Sequence, residues 1–152
     1  MGLAAIGYSF LIALPAWVFR ELRDRRELLQ FQTALATGMA LNGIGSLGAW
    51  GLYKYGFDYD KLVHFVFPAL MVYFGARLLR IRSGKPVITM ALLTAVIVMA
   101  SGVAWEYIEY FFASYFHFGF FGTLFDPDSI RDLLANMAGV IAALIYLISY
   151  PD

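Results

Sequence analysis

The sequence predicts an all-α fold, an integral membrane bundle of about five transmembrane helices, and three observations lead there. Of the 152 residues, 61% are hydrophobic and only 14% are charged. The resulting mean hydropathy of +0.70 leaves too little polar surface for a soluble domain of this size. Several apolar runs reach the roughly 17 to 25 residues that cross a bilayer. Finally, eight of the eleven Lys and Arg residues fall in alternate connections, the bias that orients membrane spans.

In order, the spans are expected at about 2–19, 28–53, 61–79, 87–113 and 132–150, as one transmembrane domain over 1–152. The first lacks the basic leader of a signal peptide and carries Pro15, a point for a kink. "RELRDRRELLQ" follows, with Glu21/Arg25 and Arg23/Glu27 at i,i+4 spacing, which predicts a helical extension at the membrane surface. The second span contains "ATGMALNGIGSLGAWG", whose small residues suit close helix packing. The third ends in "RLLRIRSGKP", where Gly-Lys-Pro stops a helix. The fourth ends in "VAWEYIEYFF", and "FDPDSIRDLLANMAG" opens the fifth.

Arg20, Arg23, Arg25, Arg26, Arg77, Arg80, Arg82 and Lys85 mark one side, against Lys54, Lys61 and Arg131 on the other. The positive-inside rule then predicts a multi-pass protein of the cytoplasmic membrane, with its N-terminus outside and its C-terminus cytoplasmic. On the outward side the acids collect: Asp58, Asp60, Glu106, Glu109, Asp126, Asp128 and Asp132. Such crowding calls for protons or a cation. Asp60/His64, Glu106/Glu109 and Asp132/Asn136 each share a helix face by i,i+3 or i,i+4 spacing. Glu106, nineteen residues beyond Val87, lies roughly 28 Å along its helix, near the far edge of a hydrocarbon core about 30 Å thick. Trp105, Tyr107 and Tyr110 would form the aromatic belt there.

"YDKLVHF", "WEYIEY" and "GTLFDPDSIRDLLANMAG", in that order, resemble the VanZ-like membrane proteins and, more closely, the YjdF-type inner-membrane proteins. The likeness covers about residues 55–147 and departs from the family pattern at Leu124-Phe125. It implies a small cell-envelope membrane protein.

Function is narrowed by what is missing. A formal net charge of zero argues against a nucleic-acid partner, and the absence of Cys excludes thiol nucleophiles and thiolate metal sites. Ser101-Gly102 lacks the context of an intramembrane serine protease, and no lipid-phosphatase signature is present. Hydrolysis would therefore need a metal-bound water or a general base: His64 as base, oriented by Asp60, with Glu106 as general acid. The residues able to hold a divalent metal are Asp60, His64, Glu106, Glu109 and Asp132, with Asn136 and Asp128 completing the polar site. A cationic or hydroxyl-rich lipid head group, from membrane lipid or a lipid-linked envelope substrate, fits the same groups. So does a non-catalytic polar network tying three helices together. A proton or cation carrier fits less well, because ionisable groups are lacking near the midplane. Asp128 is expected to cap the last helix, Asp132 to complement its dipole, and His117 to lie at the interface.

Overall fold

In a computed structural model the described residues, 2–116 and 127–150, form five α-helices and two short 3₁₀ segments, with no strand among them. The helices are α1 (Gly2–Val18), α2 (Arg26–Ser46), α3 (Tyr59–Ser83), α4 (Val87–Phe116) and α5 (Pro127–Ser149). The expected all-α bundle is observed. By length and composition α3, α4 and α5 are apolar enough to cross a membrane, and Ile6–Val18 of α1 is a shorter apolar helix. His117 and Asp126 lie outside the described residues.

α3 is the central element, packed against α2, α4 and α5, while α1 packs on α2. Its contacts with α4 and α5 are built on small side chains. Ala76, Ala91 and Leu147 meet beside Val87 and Met90, and Val72, Ala95, Val140 and Ala143 form the next layer. Alanines bring helix axes close, and dispersion between tightly fitted surfaces then supplies the attraction that lipid-soluble side chains cannot obtain by leaving water. The large apolar residues point the other way: Val96 is 68% exposed, and Phe10, Trp17, Leu92 and Ile145 are exposed too. That inside-out distribution suits a hydrocarbon surround and would be a liability in water.

α3 and α5 approach each other backbone to backbone. A Cβ on Gly139 would stand 2.1 Å from the Phe65 carbonyl oxygen, so only glycine permits this contact. Nearby, Pro68 is buried inside α3 and lacks the N–H that the His64 carbonyl would otherwise accept.

The second span differs from expectation. Its α-helix stops at Ser46, and residues Ala49–Tyr55 form a 3₁₀ segment bounded by Gly48 at φ 129° and Gly56 at φ 82°. Glycine reaches those angles without a Cβ clash. Trp50 folds back onto Gly45, where an added Cβ would stand 2.1 Å from the indole, and Gly38 receives the Phe67 ring in the same way. The small residues therefore accept aromatic rings here. Polar bonds hold α2 to α1: Gln32 Nε2 donates to the Ile12 carbonyl at 2.9 Å, and Asn42 Nδ2 to the Tyr8 hydroxyl.

The surface extension also differs. Arg20–Leu22 is a single 3₁₀ turn, and α2 begins afresh at Arg26. Glu21 bonds across to Arg82 of α3 at 3.1 Å, and that guanidinium lies 4.9 Å from the Phe19 ring centroid. Tertiary pairing prevails over the i,i+4 pairing with Arg25 that the sequence suggests.

Gly139→Ala should force α3 and α5 apart and cost about 1 to 3 kcal/mol, the usual range for overpacking. Gly43→Ala, where an added Cβ meets nothing within 4 Å, should leave stability unchanged or raise it by up to about 1 kcal/mol. Thermal unfolding of both variants in detergent measures the difference.

Candidate functional site

The site forms where α3 starts, α5 starts and α4 nears its end. Asp58 caps α3, its side chain accepting from the Lys61 backbone N–H at 3.4 Å. The first turn therefore projects Asp60, Lys61 and His64 toward α5. α5 opens with Pro127 at its first helical position, which a missing N–H favours. Asp132 and Asn136, four residues apart, lie on its buried stripe and face α3.

Lys61 is the hub. Its ammonium donates to Asp132 Oδ1 at 2.6 Å, Asp128 Oδ1 at 2.7 Å and Asp60 Oδ2 at 3.0 Å. Its side chain is only 19% exposed, and three carboxylates satisfy the three donors of an ammonium. Behind it, His64 Nδ1 donates to Asn136 Oδ1 at 3.2 Å. An amide oxygen can only accept, so this bond fixes the proton on Nδ1. Nε2 then looks toward Asp60 Oδ1 at 3.6 Å and Asp132 Oδ1 at 3.7 Å. One ligand atom from each of Asp60, His64 and Asp132 lies within 4.8 Å of the others.

α4 contributes a glycine and two acids. A Cβ on Gly102 would stand 2.9 Å from Asn136 Nδ2, so the missing side chain makes room for the amide. Glu106, one turn further on the same face, is 5% exposed, and its Oε1 has no hydrogen-bond partner among the described residues. Glu109 is half-buried and close enough to feel the charges of Glu106, Asp132 and Asp60. Trp105, Tyr107 and Tyr110 around them are exposed, as interfacial aromatics are.

A family model described as "Predicted membrane protein (DUF2238)" matches residues 4–152. The chain belongs to this family. No curated protein and no solved structure matches it. Membership makes it a membrane protein embedded in lipid and carries no activity with it.

Of the residues singled out from sequence, the structure brings Asp60, His64, Asp128, Asp132 and Asn136 of this family member into direct contact around Lys61. Glu106 is placed one helical turn from the Gly102–Asn136 contact, with Glu109 beyond it. Asp128 is not an N-cap, because α5 already begins at Pro127 and the Asp128 carboxylate is bound to Lys61. Sequence reading missed Lys61 as the organising group and treated it as a boundary charge. Its adjacency to Asp60 and i,i+3 relation to His64 were the available signal.

Lys61→Met should leave three carboxylates facing one another. Loss of one partner of a buried pair costs about 3 to 5 kcal/mol, and partial exposure puts this case at or below the lower end. Adding Asp132→Asn should recover part of the lost melting temperature, which a double-mutant cycle in detergent would show.

Proposed function

We propose that Asp60, His64 and Asp132 form a divalent-cation site on the outer face of a cytoplasmic membrane, in an envelope protein that engages a lipid-linked head group. The observation that carries this reading is the orientation of His64. With its proton on Nδ1, the imidazole presents a lone pair at Nε2 to two carboxylate oxygens. That approach is favourable when positive charge, a second ring proton or a cation, lies between Nε2 and the carboxylates, and the Lys61 ammonium already bonds the same Asp132 oxygen. Nε2 stands 3.6 and 3.7 Å from the two carboxylate oxygens, and the three donors lie within 4.8 Å of one another, a spacing that a small cation could draw together. The Nδ1 bond to an amide oxygen is the outer contact that metal-bound histidines commonly make. Net charge supports the same reading. Asp60, Glu106, Glu109, Asp128 and Asp132 outweigh Lys61 by four negative charges when all are ionised and His64 is neutral.

With an ion bound, His64 would be a ligand, and the buried Glu106 on α4 would be the candidate general acid. In the ion-free site Nε2 is itself the base, and Asp60 stabilises the imidazolium that forms. The likeness of "YDKLVHF" and "WEYIEY" to YjdF-type and VanZ-like chains supports an envelope setting. The excess of basic residues at the opposite end supports the outward orientation.

A second reading has its own observation. Lys61 fastens α3 to α5 through Asp128 and Asp132, as a purely structural latch would. Calorimetric titration of chelator-treated protein with Zn²⁺ and Mn²⁺ separates the two. A 1:1 complex is expected, weakened at least tenfold by His64→Ala and about 10- to 100-fold by Asn136→Ala. Glu106→Gln should keep the melting temperature while altering binding. No heat, or heat indifferent to His64 and Asp132, would leave only the latch.

Orientation is tested separately. A cysteine introduced by Lys54→Cys should react with an impermeant reagent on intact cells, and one introduced by Lys85→Cys only after lysis. The opposite pattern would turn the site inward.

A further inference from the structure

The other end of α3 carries a cleft with different chemistry. Arg26, Glu27 and Gln30 of α2, together with Tyr73, Phe74 and Arg77 of α3, line a space of about 280 Å³. Arg77 follows His64 by thirteen residues, roughly 20 Å along the helix, so the two places share no side chain. Two guanidinium groups reach this cleft from two helices. Arg77 is already oriented: its Nη1 donates to the Tyr73 hydroxyl at 2.7 Å, and its Cζ lies 5.4 Å from the Tyr73 ring centroid. Tyr73 is in turn braced edge-on by Phe74 at 4.8 Å and by Tyr146 at 5.5 Å. A guanidinium bonded to a braced tyrosine loses little freedom when it binds a tetrahedral oxyanion, and its fork of donors matches two of that anion's oxygens.

Glu27 and Gln30 give the cleft a second character. A bare anion has no use for a carboxylate beside the two cations. A ligand joining a phosphate to hydrogen-bond donors does, since Glu27 and Gln30 can accept from those donors. Arg20, Arg23, Arg25, Arg80, Arg82 and Lys85 crowd the same end of the sequence map, where juxtamembrane cations are drawn to anionic lipid surfaces.

We propose that this cleft binds the phosphodiester of a membrane phospholipid whose head group carries hydrogen-bond donors, glycerol hydroxyls or a primary ammonium. Arg26 and Arg77 take the phosphate, and Glu27 and Gln30 take the donors. The site is independent of the acidic cluster and does not rest on the function proposed for it.

The test uses full-length protein, delipidated in neutral detergent, with native mass spectrometry and thermal shift as readouts. Phosphatidylglycerol and phosphatidylethanolamine, added back, should bind and raise the melting temperature. Phosphatidylcholine, whose head group lacks donors, should bind at least tenfold more weakly. Inorganic phosphate should protect only weakly. The Arg26→Gln, Arg77→Gln double variant should lose at least tenfold in lipid affinity, while Arg23→Gln, outside the cleft, should not. If the double variant fails to fold, Arg26→Gln alone, at an exposed position, should still show a loss. Lipid binding unchanged in these variants would overturn the site. Equal binding of phosphatidylcholine would overturn the role of the donors, and full protection by inorganic phosphate would make the ligand a free anion instead of a lipid.

Discussion

An ammonium group at the edge of a hydrocarbon layer needs counter-charge within bonding distance, and this requirement shapes the bundle. Lys61 sits on the first turn of α3, too buried to be satisfied by water alone. Its partners Asp128 and Asp132 belong to α5, so meeting the requirement fixes how α5 stands against α3. Everything nearby agrees with that register. His64 meets Asn136 one turn deeper, and Gly139 meets the Phe65 backbone one turn deeper again. A polar contact, an amide–imidazole bond and a glycine contact thus occur in sequence along one seam. The alanine layers beyond continue it toward the basic end.

Much of this was legible in the residues. Length and apolarity identify α3, α4 and α5, because a helix in lipid must satisfy its backbone internally whatever its neighbours do. The paired spacings of Asp60/His64 and Asp132/Asn136 put each pair on one face, and the structure turns both faces toward each other. What sequence could not supply was partner choice. Glu21 has Arg25 at helical spacing but pairs with Arg82, since a 3₁₀ turn and the fresh start of α2 at Arg26 interrupt the helix. α2 ends earlier than the expected 53 because Gly48, within the small-residue stretch, has a positive φ that marks a turn. Asp128 looks like a cap in sequence, but the helix already includes Pro127.

The two ends of α3 now contrast in kind. At its start, carboxylates outnumber cations around an imidazole; near its close, guanidinium groups gather over an aromatic shelf. One helix thereby presents opposite electrostatic signs at its two ends, with apolar packing between them. Such an arrangement keeps each set of charges out of the low-dielectric interior, where an unpaired group is costly. It also separates what each end can recognise.

The Lys61 hydrogen bonds have a consequence for biogenesis. Its two α5 partners lie 67 and 71 residues further along the chain. A nascent chain made in order therefore delivers α3 to the bilayer well before its counter-ions exist. Until α5 arrives, Lys61 has only its neighbour Asp60 and whatever water reaches the interface. Assembly of the seam must then wait for α5, and a ribosome halted before Pro127 would leave a lysine-bearing helix open to quality-control proteases.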